Sequence, residues 1–598
     1  MTTQNKFNIL AAVTVAMTMQ SCGDFLDHLP DDRTEIDSVD KVQKLLINSY
    51  PTSNYYWLCE ISSDNLLDNQ TPHLPSNPNK KQITTYYNYA PYDRWEDELY
   101  SFEPARTATF NDSDSPGSVW EGYYGSVASA NYCIQTLDEL ESKGATVDAK
   151  FRALRAEAQL IRAYDHFSLV NVFSQAYIND AENAKNIGVP YVTEPETTMQ
   201  KEYDRGTVAE TYRMIQKDLE EALPNISDNY MGAVKYHFNT QAAHAFAARF
   251  YLFTHQWDKV IEHANAVIGT DSASVEKLMM DWSGFDDCSY SDDYAKIWQG
   301  PDQPSNLMII GTYSLLQRRA YGNRYSLAGE KCQDVLLVRT SNSYWSGYIC
   351  PVQCAVGGML FGSSMHDYGF FSGKIAEEFE YSDKLAGIGY CHIMCRAFTT
   401  AELLLERAEA NLMLGNIEAA SRDLCQYWNS PYFHMSESNK EKEKSHYTML
   451  TDALIKRYFT QSVENTTDKD GRPVTKRKIS NRNCFLPEEW DQFASNVQNV
   501  YNVPADIHPY MNCLNEFRRF EFCFEGMRFF DLKRWGIPYE HHQGSDDDVF
   551  VMQGVDDKRA IELPWESLSA GLLESRRTTS TVDTRSLTLP STYSIVSE

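Results

Sequence analysis

The chain lacks the short signatures that mark the commonest enzyme sites. No C-x-x-C, no H-E-x-x-H and no G-x-S-x-G occurs in its 598 residues, nor any glycine-rich phosphate loop. Zinc centres, acyl-transfer elbows and nucleotide cradles built on those patterns are therefore not expected. Positive charge is scarce as well: 54 Lys and Arg stand against 83 Asp and Glu, a net charge of −29. A phosphate backbone needs cations to displace its counterions, so nucleic acid is excluded as a partner and an acidic polymer is a poor ligand. Long apolar runs are missing too. The longest, Phe7 to Met19, has thirteen residues, short of the roughly 20 that a membrane-spanning helix requires.

That run has instead the length of the apolar part of an export signal. Lys6 precedes it, and it ends at Ser21-Cys22, a small residue before a cysteine. The pattern predicts a lipoprotein signal over residues 1–21, with Cys22 lipidated as the mature N-terminus. A chain so tied is soluble but membrane-anchored, each buried methylene contributing about 0.8 kcal/mol.

What is present fits a globular protein: 42% hydrophobic and 23% charged residues. Aromatics are plentiful, with 37 Tyr, 28 Phe and 11 Trp, a surplus that a sugar- or peptide-binding surface would use. Cysteine is plentiful as well. Lipidation of Cys22 leaves twelve of 13, whose pairing the sequence leaves open. Cys350/Cys354 and Cys391/Cys395 are spaced by four, which puts both thiols of a pair on one helix face, but buried structural thiols are the expectation. Asp286, Asp287, Asp292 and Asp293 could offer oxygens to a structural Ca²⁺. They do not form the D-x-[DN]-x-[DN]-G loop, so no cofactor is predicted.

Helical periodicity dominates. Asp37 or Ser38 can cap a first helix, and a long one is expected from about Asp148 to Phe173. Another runs from Thr207, a cap, to Pro224, a stop. TQAAHAFAARFYLFTHQWDKVIEHANAVIG and TAELLLERAEANLMLGNIEAASRDLCQYWN align without gaps, 160 residues apart. Ala248 falls on Ala408, Leu252 on Leu412, Trp257 on Ile417, Val260 on Ala420 and Ala264 on Leu424. Each is a helix, a tight turn and a second helix, a tetratricopeptide-like hairpin. The fold class is mainly α: a helical-repeat scaffold of about four helix pairs with large irregular loop and small-strand insertions. The scaffold is placed at about 119–269 and 396–428. Loop-rich blocks at about 51–117 and 270–395 are the regions where binding residues usually sit, and within the second only LMIIG and VLLV look like strands. RPVTKRKIS reads as a solvated loop.

Asn515 to Gly536 reads as one helix with an aromatic face that should dock on the scaffold, with Glu521, Glu525, Arg528, Asp531 and Arg534 available for ion pairing. Arg518, Glu521, Phe522, Phe524, Glu525, Gly526, Arg528, Phe530, Asp531, Leu532, Arg534, Trp535 and Gly536 give it a pattern that closely resembles the SusD/RagB family of outer-membrane nutrient-binding lipoproteins of Bacteroidetes. SCGDFLD, RAYDHFSLVNVF, GVPYVTEPE, RGTVAETYRMIQKDLEEAL and AELLLERAEANLMLGN are similar to further landmarks of that family, in its order. The resemblance spans about residues 20 to 570. Toward the C-terminus only Leu563-Pro564 and Glu566 keep the family's pattern, so 571–598 is an unassigned tail of the single domain 22–598.

The resemblance implies a tetratricopeptide-type scaffold carrying ligand loops, anchored by lipid on the outer face of the outer membrane. The implied partner is a SusC-like TonB-dependent barrel, over which the lipoprotein sits as a lid. The ligand would be an oligosaccharide or polysaccharide, or a peptide as in some members, and no catalysis is expected. Sugars offer apolar C–H faces edged by hydroxyls, which aromatics with polar neighbours can grip. Two clusters qualify. One is Tyr92, Asp93, Arg94, Trp95 and Glu96 beside Asp64, Asn65 and Asp68; the other is Tyr294, Trp298, Tyr321, Asn323 and Arg324 with Tyr344, Trp345 and Tyr348. A glycoside hydrolase with two carboxylates at fixed separation and a bare protein-binding repeat scaffold are the competing readings.

Overall fold

The computed structural model describes residues 36–71, 93–196, 202–288, 291–320, 324–327, 335, 373–434, 437, 440, 449–460, 462–467, 473–478, 484–544 and 548–575. Cys22 and the rest of the front end lie outside these residues. Among the described residues no helix is long and apolar enough to cross a membrane.

The fold is mainly helical. Helix α1 (Val39–Leu46) starts at Ser38, and α2 (Tyr56–Ile61) and α3 (Arg94–Tyr100) belong to the first loop-rich block. The scaffold begins with α4 (Pro116–Ser142). Ser115 caps it by accepting from the Ser118 N–H, and Pro116 supplies a first-turn residue that needs no donor. Helix α5 (Ala149–Phe173) has the bounds the periodicity predicts, and Asp148 caps it. Thr207 and Glu210 form a reciprocal capping box at α6 (Val208–Ala222), which ends just before Pro224. The two aligned hairpins follow: α7 (Thr240–Phe253) with α8 (Trp257–Ile268), and, much later, α9 (Thr400–Met413) with α10 (Ile417–His434). Helix α5 packs on both α4 and α6, and α9 joins the hairpins by packing on α8 as well as α10. Ala248, Ala408, Val260, Ala420, Ala264 and Leu424 are all buried between helices, as the repeat alignment requires.

Buried ion pairs stitch the helices together. Arg162 of α5 reaches Asp218 of α6 at 2.7 Å, Arg249 of α7 reaches Glu402 of α9 at 2.6 Å, and Arg407 of α9 reaches Asp423 of α10 at 2.8 Å. Each arginine offers its guanidinium fork to both oxygens of the carboxylate, a geometry that fixes orientation between helices as well as contributing energy.

The insertions carry the strands. β1 (Leu67–Asp68) pairs with β3 (Tyr325–Ser326), and β2 (Asn306–Tyr313), β4 (Glu378–Asp383) and β5 (Ile388–Thr399) form an antiparallel sheet in the order β2-β5-β4. LMIIG lies in β2 as expected; of VLLV only Val335 is described. Cys391 and Cys395 lie on β5, not on a helix. A spacing of four also keeps them on one face of a strand. The basic island is a strand as well: β7 (Pro473–Lys478) pairs with β6 (Ser462–Thr467) in a hairpin, so its backbone is hydrogen-bonded and not a free loop. β8 (Tyr539–Gln543) and β9 (Asp548–Met552) form a last pair. None of the nine cysteines among the described residues is disulfide-bonded, and Cys59, Cys133, Cys395, Cys484, Cys513 and Cys523 are buried.

The segment 515–536 is not a single helix. Helix α11 (His508–Glu521) stops, the chain turns through Phe524 (φ 63°) and Gly526 (φ 74°), and α12 (Met527–Arg534) follows. Its charged residues dock it on the scaffold, as expected, and one pair, Asp531–Arg534, lies within α12. They are buried and reach across the fold: Arg528 to Asp64, Arg534 to Glu409, and Glu521 and Glu525 to Arg396. Residues 571–575 also pack onto the core, where Arg205 donates to the Leu573 carbonyl and to the Ser575 hydroxyl.

Candidate ligand-binding surface

The described parts of the two loop-rich blocks, distant in sequence, are joined by hydrogen bonds. The Tyr313 N–H donates to the Thr52 carbonyl at 2.8 Å, and Asn54 donates to the Thr312 hydroxyl at 2.8 Å. Ser314 donates to Asp114, and the Leu315 N–H donates to the same carboxylate. Two arginines then bind the blocks through carboxylates. Arg319 contacts Asp93 and Glu96, each at 2.8 Å, and Asp114 at 3.3 Å. Arg324 contacts Asp68 at 2.8 Å and Asp97 at 3.0 Å. Burial pushes the Glu96 and Asp114 carboxyls above their usual range, and the Arg319 charge pulls the other way.

This stitching decides where the sequence-derived candidates sit. Trp95 is 1% exposed, with the Arg319 guanidinium 5.1 Å from its ring centroid. Trp298 is 2% exposed, with Arg396 at 4.0 Å and Lys374 at 5.0 Å from its ring. Both rings are held inside the fold by cations, and neither offers a face to a ligand here. Asp68 is fully buried against Arg324, and Asp64 and Asn65 hold Arg528 and Arg519 of the α11–α12 block. Tyr294 is half-buried against Phe285, and Arg94 is exposed at the start of α3. Tyr92, Tyr321, Asn323, Tyr344, Trp345 and Tyr348 lie outside the described residues. Of the four aspartates weighed for Ca²⁺, only Asp293 has a described side chain. No group of three or more His, Cys, Asp or Glu is placed to hold a metal ion among the described residues.

Open aromatic faces occur instead at the outer end of the β2-β5-β4 sheet. The Tyr313 and Tyr390 rings meet edge to face, with centroids 4.4 Å apart. Tyr313 lies opposite His392, and Tyr390 opposite Glu380, so all four share one face of the sheet. Glu378, also opposite His392, adds a second carboxylate to that face. On the opposite face, at the tip, Phe379 and Tyr381 pair edge to face at 4.9 Å, both about half exposed. The contact with Tyr313 holds the Tyr390 phenol up at about 12, so it stays a neutral hydrogen-bonding group. These four aromatics were missed from the sequence. The alternation in EFEY and GYCHI was the signal that marks them as strand residues with one open face.

Residues 24–252 match a family model described as starch-binding, associating with outer membrane. Residues 484–563, which include the α11–α12 block, match the model of the SusD family. The chain belongs to the SusD/RagB family. Solved structures of similar fold agree. A SusD superfamily protein from Bacteroides thetaiotaomicron VPI-5482 is 16% identical, covering 90% of this chain and 100% of that one with a TM-score of 0.52. A putative sugar binding protein from Bacteroides vulgatus ATCC 8482 is 15% identical, with 91% and 99% covered and a TM-score of 0.54. A SusD superfamily protein from Bacteroides fragilis is 15% identical, with 90% and 99% covered and a TM-score of 0.52. At such identities the likeness establishes the SusD fold and nothing finer. Comparison with the curated proteins found no match.

Proposed function

We propose that the protein is a non-catalytic glycan-binding lipoprotein, tethered through Cys22 at the outer face of the outer membrane. It captures an oligosaccharide or polysaccharide and delivers it to a SusC-like TonB-dependent barrel transporter. The observation that carries the binding reading is the open Tyr313–Tyr390 pair with Glu378 and Glu380 on the same sheet face. A ring edge and a ring face present apolar surface to the C–H face of a sugar, while the carboxylates accept from its hydroxyls. The acidity of that face and of the whole chain selects a neutral glycan over a uronic or sulfated one. Arg94, Tyr294 and the aromatics of the loops around Tyr92, Tyr321, Asn323, Tyr344, Trp345 and Tyr348 are proposed as further contacts. Asp68 and Trp95 join the two blocks through Arg324 and Arg319, and Asp64 and Trp298 are held by Arg528 and Arg396.

Affinity electrophoresis against plant, fungal and host glycans tests the reading. One or more neutral polysaccharides should retard the purified protein, with no reducing ends released. Tyr313→Ala and Tyr390→Ala should each weaken that retardation. Release of fragments by the pure protein would make it a hydrolase. Retardation unchanged in both variants would move the ligand away from the sheet end.

A further inference from the structure

Away from the sheet end, the α7–α8 hairpin brings two histidines together. His244 sits near the start of α7 and His263 in the second half of α8. Because the helices run antiparallel, their side chains meet across the hairpin, with Nδ1 2.9 Å from Nδ1 and ring centroids 5.2 Å apart. Both side chains are part-exposed, so a solute can reach them.

Their surroundings keep both rings uncharged and in place. Burial holds His244 below the usual imidazole range and pushes His263 down to about 4, where the His244 charge adds to the effect. The Tyr251 ring stacks on His263 with centroids 5.4 Å apart and planes within 8°. Tyr251 is fixed in turn: its hydroxyl donates to Glu220 at 2.9 Å, and Lys259 lies over its ring at 4.3 Å. Exposed Glu262 puts a negative charge near both histidines.

Two neutral imidazoles with facing nitrogens are a ligand pair for a borderline transition metal. With metal–nitrogen bonds of about 2.0–2.1 Å, two cis ligands at a right angle lie about 2.9 Å apart, whereas tetrahedral ligands lie about 3.3 Å apart. The 2.9 Å between the hydrogen-bonded nitrogens lies within a few tenths of an ångström of both arrangements, so the choice of ion rests on affinity. The Irving–Williams order puts Cu²⁺ first. Without a metal, one ring donates its Nδ1 proton to the other. On binding, the donating ring changes to its Nε2–H tautomer, its proton passing from Nδ1 to Nε2 by way of solvent, and both Nδ1 lone pairs turn to the ion.

We propose that His244 and His263 form a two-histidine binding site for Cu²⁺, with water completing the coordination and the Glu262 charge favouring the cation. The site is independent of the glycan surface.

The test is a Cu²⁺ titration of the purified protein without a polyhistidine tag, at neutral pH, followed by calorimetry and electron paramagnetic resonance. The proposal expects one saturable site whose spectrum shows hyperfine coupling to two nitrogens. His244→Gln and His263→Gln should each abolish that site or weaken it at least tenfold, with an unchanged circular dichroism spectrum. Should either variant unfold, the more conservative His244→Asn and His263→Asn take its place. A two-nitrogen signal that survives both substitutions, or no saturable site in the parent protein, overturns the proposal and leaves the pair as a hydrogen bond.

Discussion

The Arg319 guanidinium carbon lies 5.1 Å from the centre of the Trp95 ring, although the two residues come from different loop-rich blocks. The same arginine pairs with Asp93, Glu96 and Asp114. Trp95 therefore acts as a rivet between the blocks. Trp95→Ala should cost about 3–5 kcal/mol of stability, the usual range for emptying a buried aromatic site. Urea denaturation checks this, and Trp95→Phe should lose less. A Trp95→Ala protein of full stability that no longer binds glycan would show that the ring contacts ligand after all.

The buried pair Arg534–Glu409 should be sensitive in a different way. Arg534 Nη2 donates to Glu409 at 2.8 Å, Nε donates to Asp531 at 2.9 Å, and the Tyr501 hydroxyl completes the shell. Removing one partner leaves a charge stranded in the core, at about 3–5 kcal/mol. Replacing both with apolar residues of similar volume should lose much less than the two single changes together. A double-mutant cycle in urea measures the difference, and strictly additive losses would contradict it.

Most of the scaffold was legible because it rests on local rules. Asp148 caps α5, Thr207 and Glu210 box α6, and Ala248 and Ala408 occupy equivalent buried positions. Caps and periodicity act over a few residues, and a sequence displays them directly. The fate of Trp95 and Trp298 was not legible, because Arg319 and Arg396 arrive from far along the chain. Loop composition alone made both tryptophans look available. The break in 515–536 was hidden for another reason. Its aromatic spacing continues through the turn, and only the positive φ values at Phe524 and Gly526 reveal it. The sheet-end aromatics fell outside both candidate clusters because the strands of 378–399 were not recognised.

Gly526 gives the break its own test. Its φ of 74° lies in the left-handed region, and an added Cβ would meet Tyr55, Tyr56 and Cys59 at 3.1–3.2 Å. Gly526→Ala should lower stability by more than the roughly 1 kcal/mol of the backbone effect alone, because strain and contact add. The check is the shift in the denaturation midpoint. A change within about 0.5 kcal/mol would mean that the turn relaxes freely.

Glu406 of α9 is a buried carboxyl whose two oxygens make no hydrogen bond. Burial and the neighbouring Glu402 raise its pKa well above 4.5, while Arg249, Arg518 and Arg534 oppose the shift. Below about pH 4.5 the folded and unfolded states both hold the proton, and the group does not bias folding. Above that pH the unfolded chain releases the proton while the folded chain keeps it. The group's contribution therefore falls as pH rises, by up to about 1.4 kcal/mol per unit, until pH passes the folded-state value. Glu406→Gln removes the titration but keeps the shape. The variant should gain on the parent as pH rises above 5, and urea midpoints at pH 5, 6 and 7 read this out. Parallel pH profiles would mean that Glu406 ionises in the folded protein with its charge balanced by the three arginines.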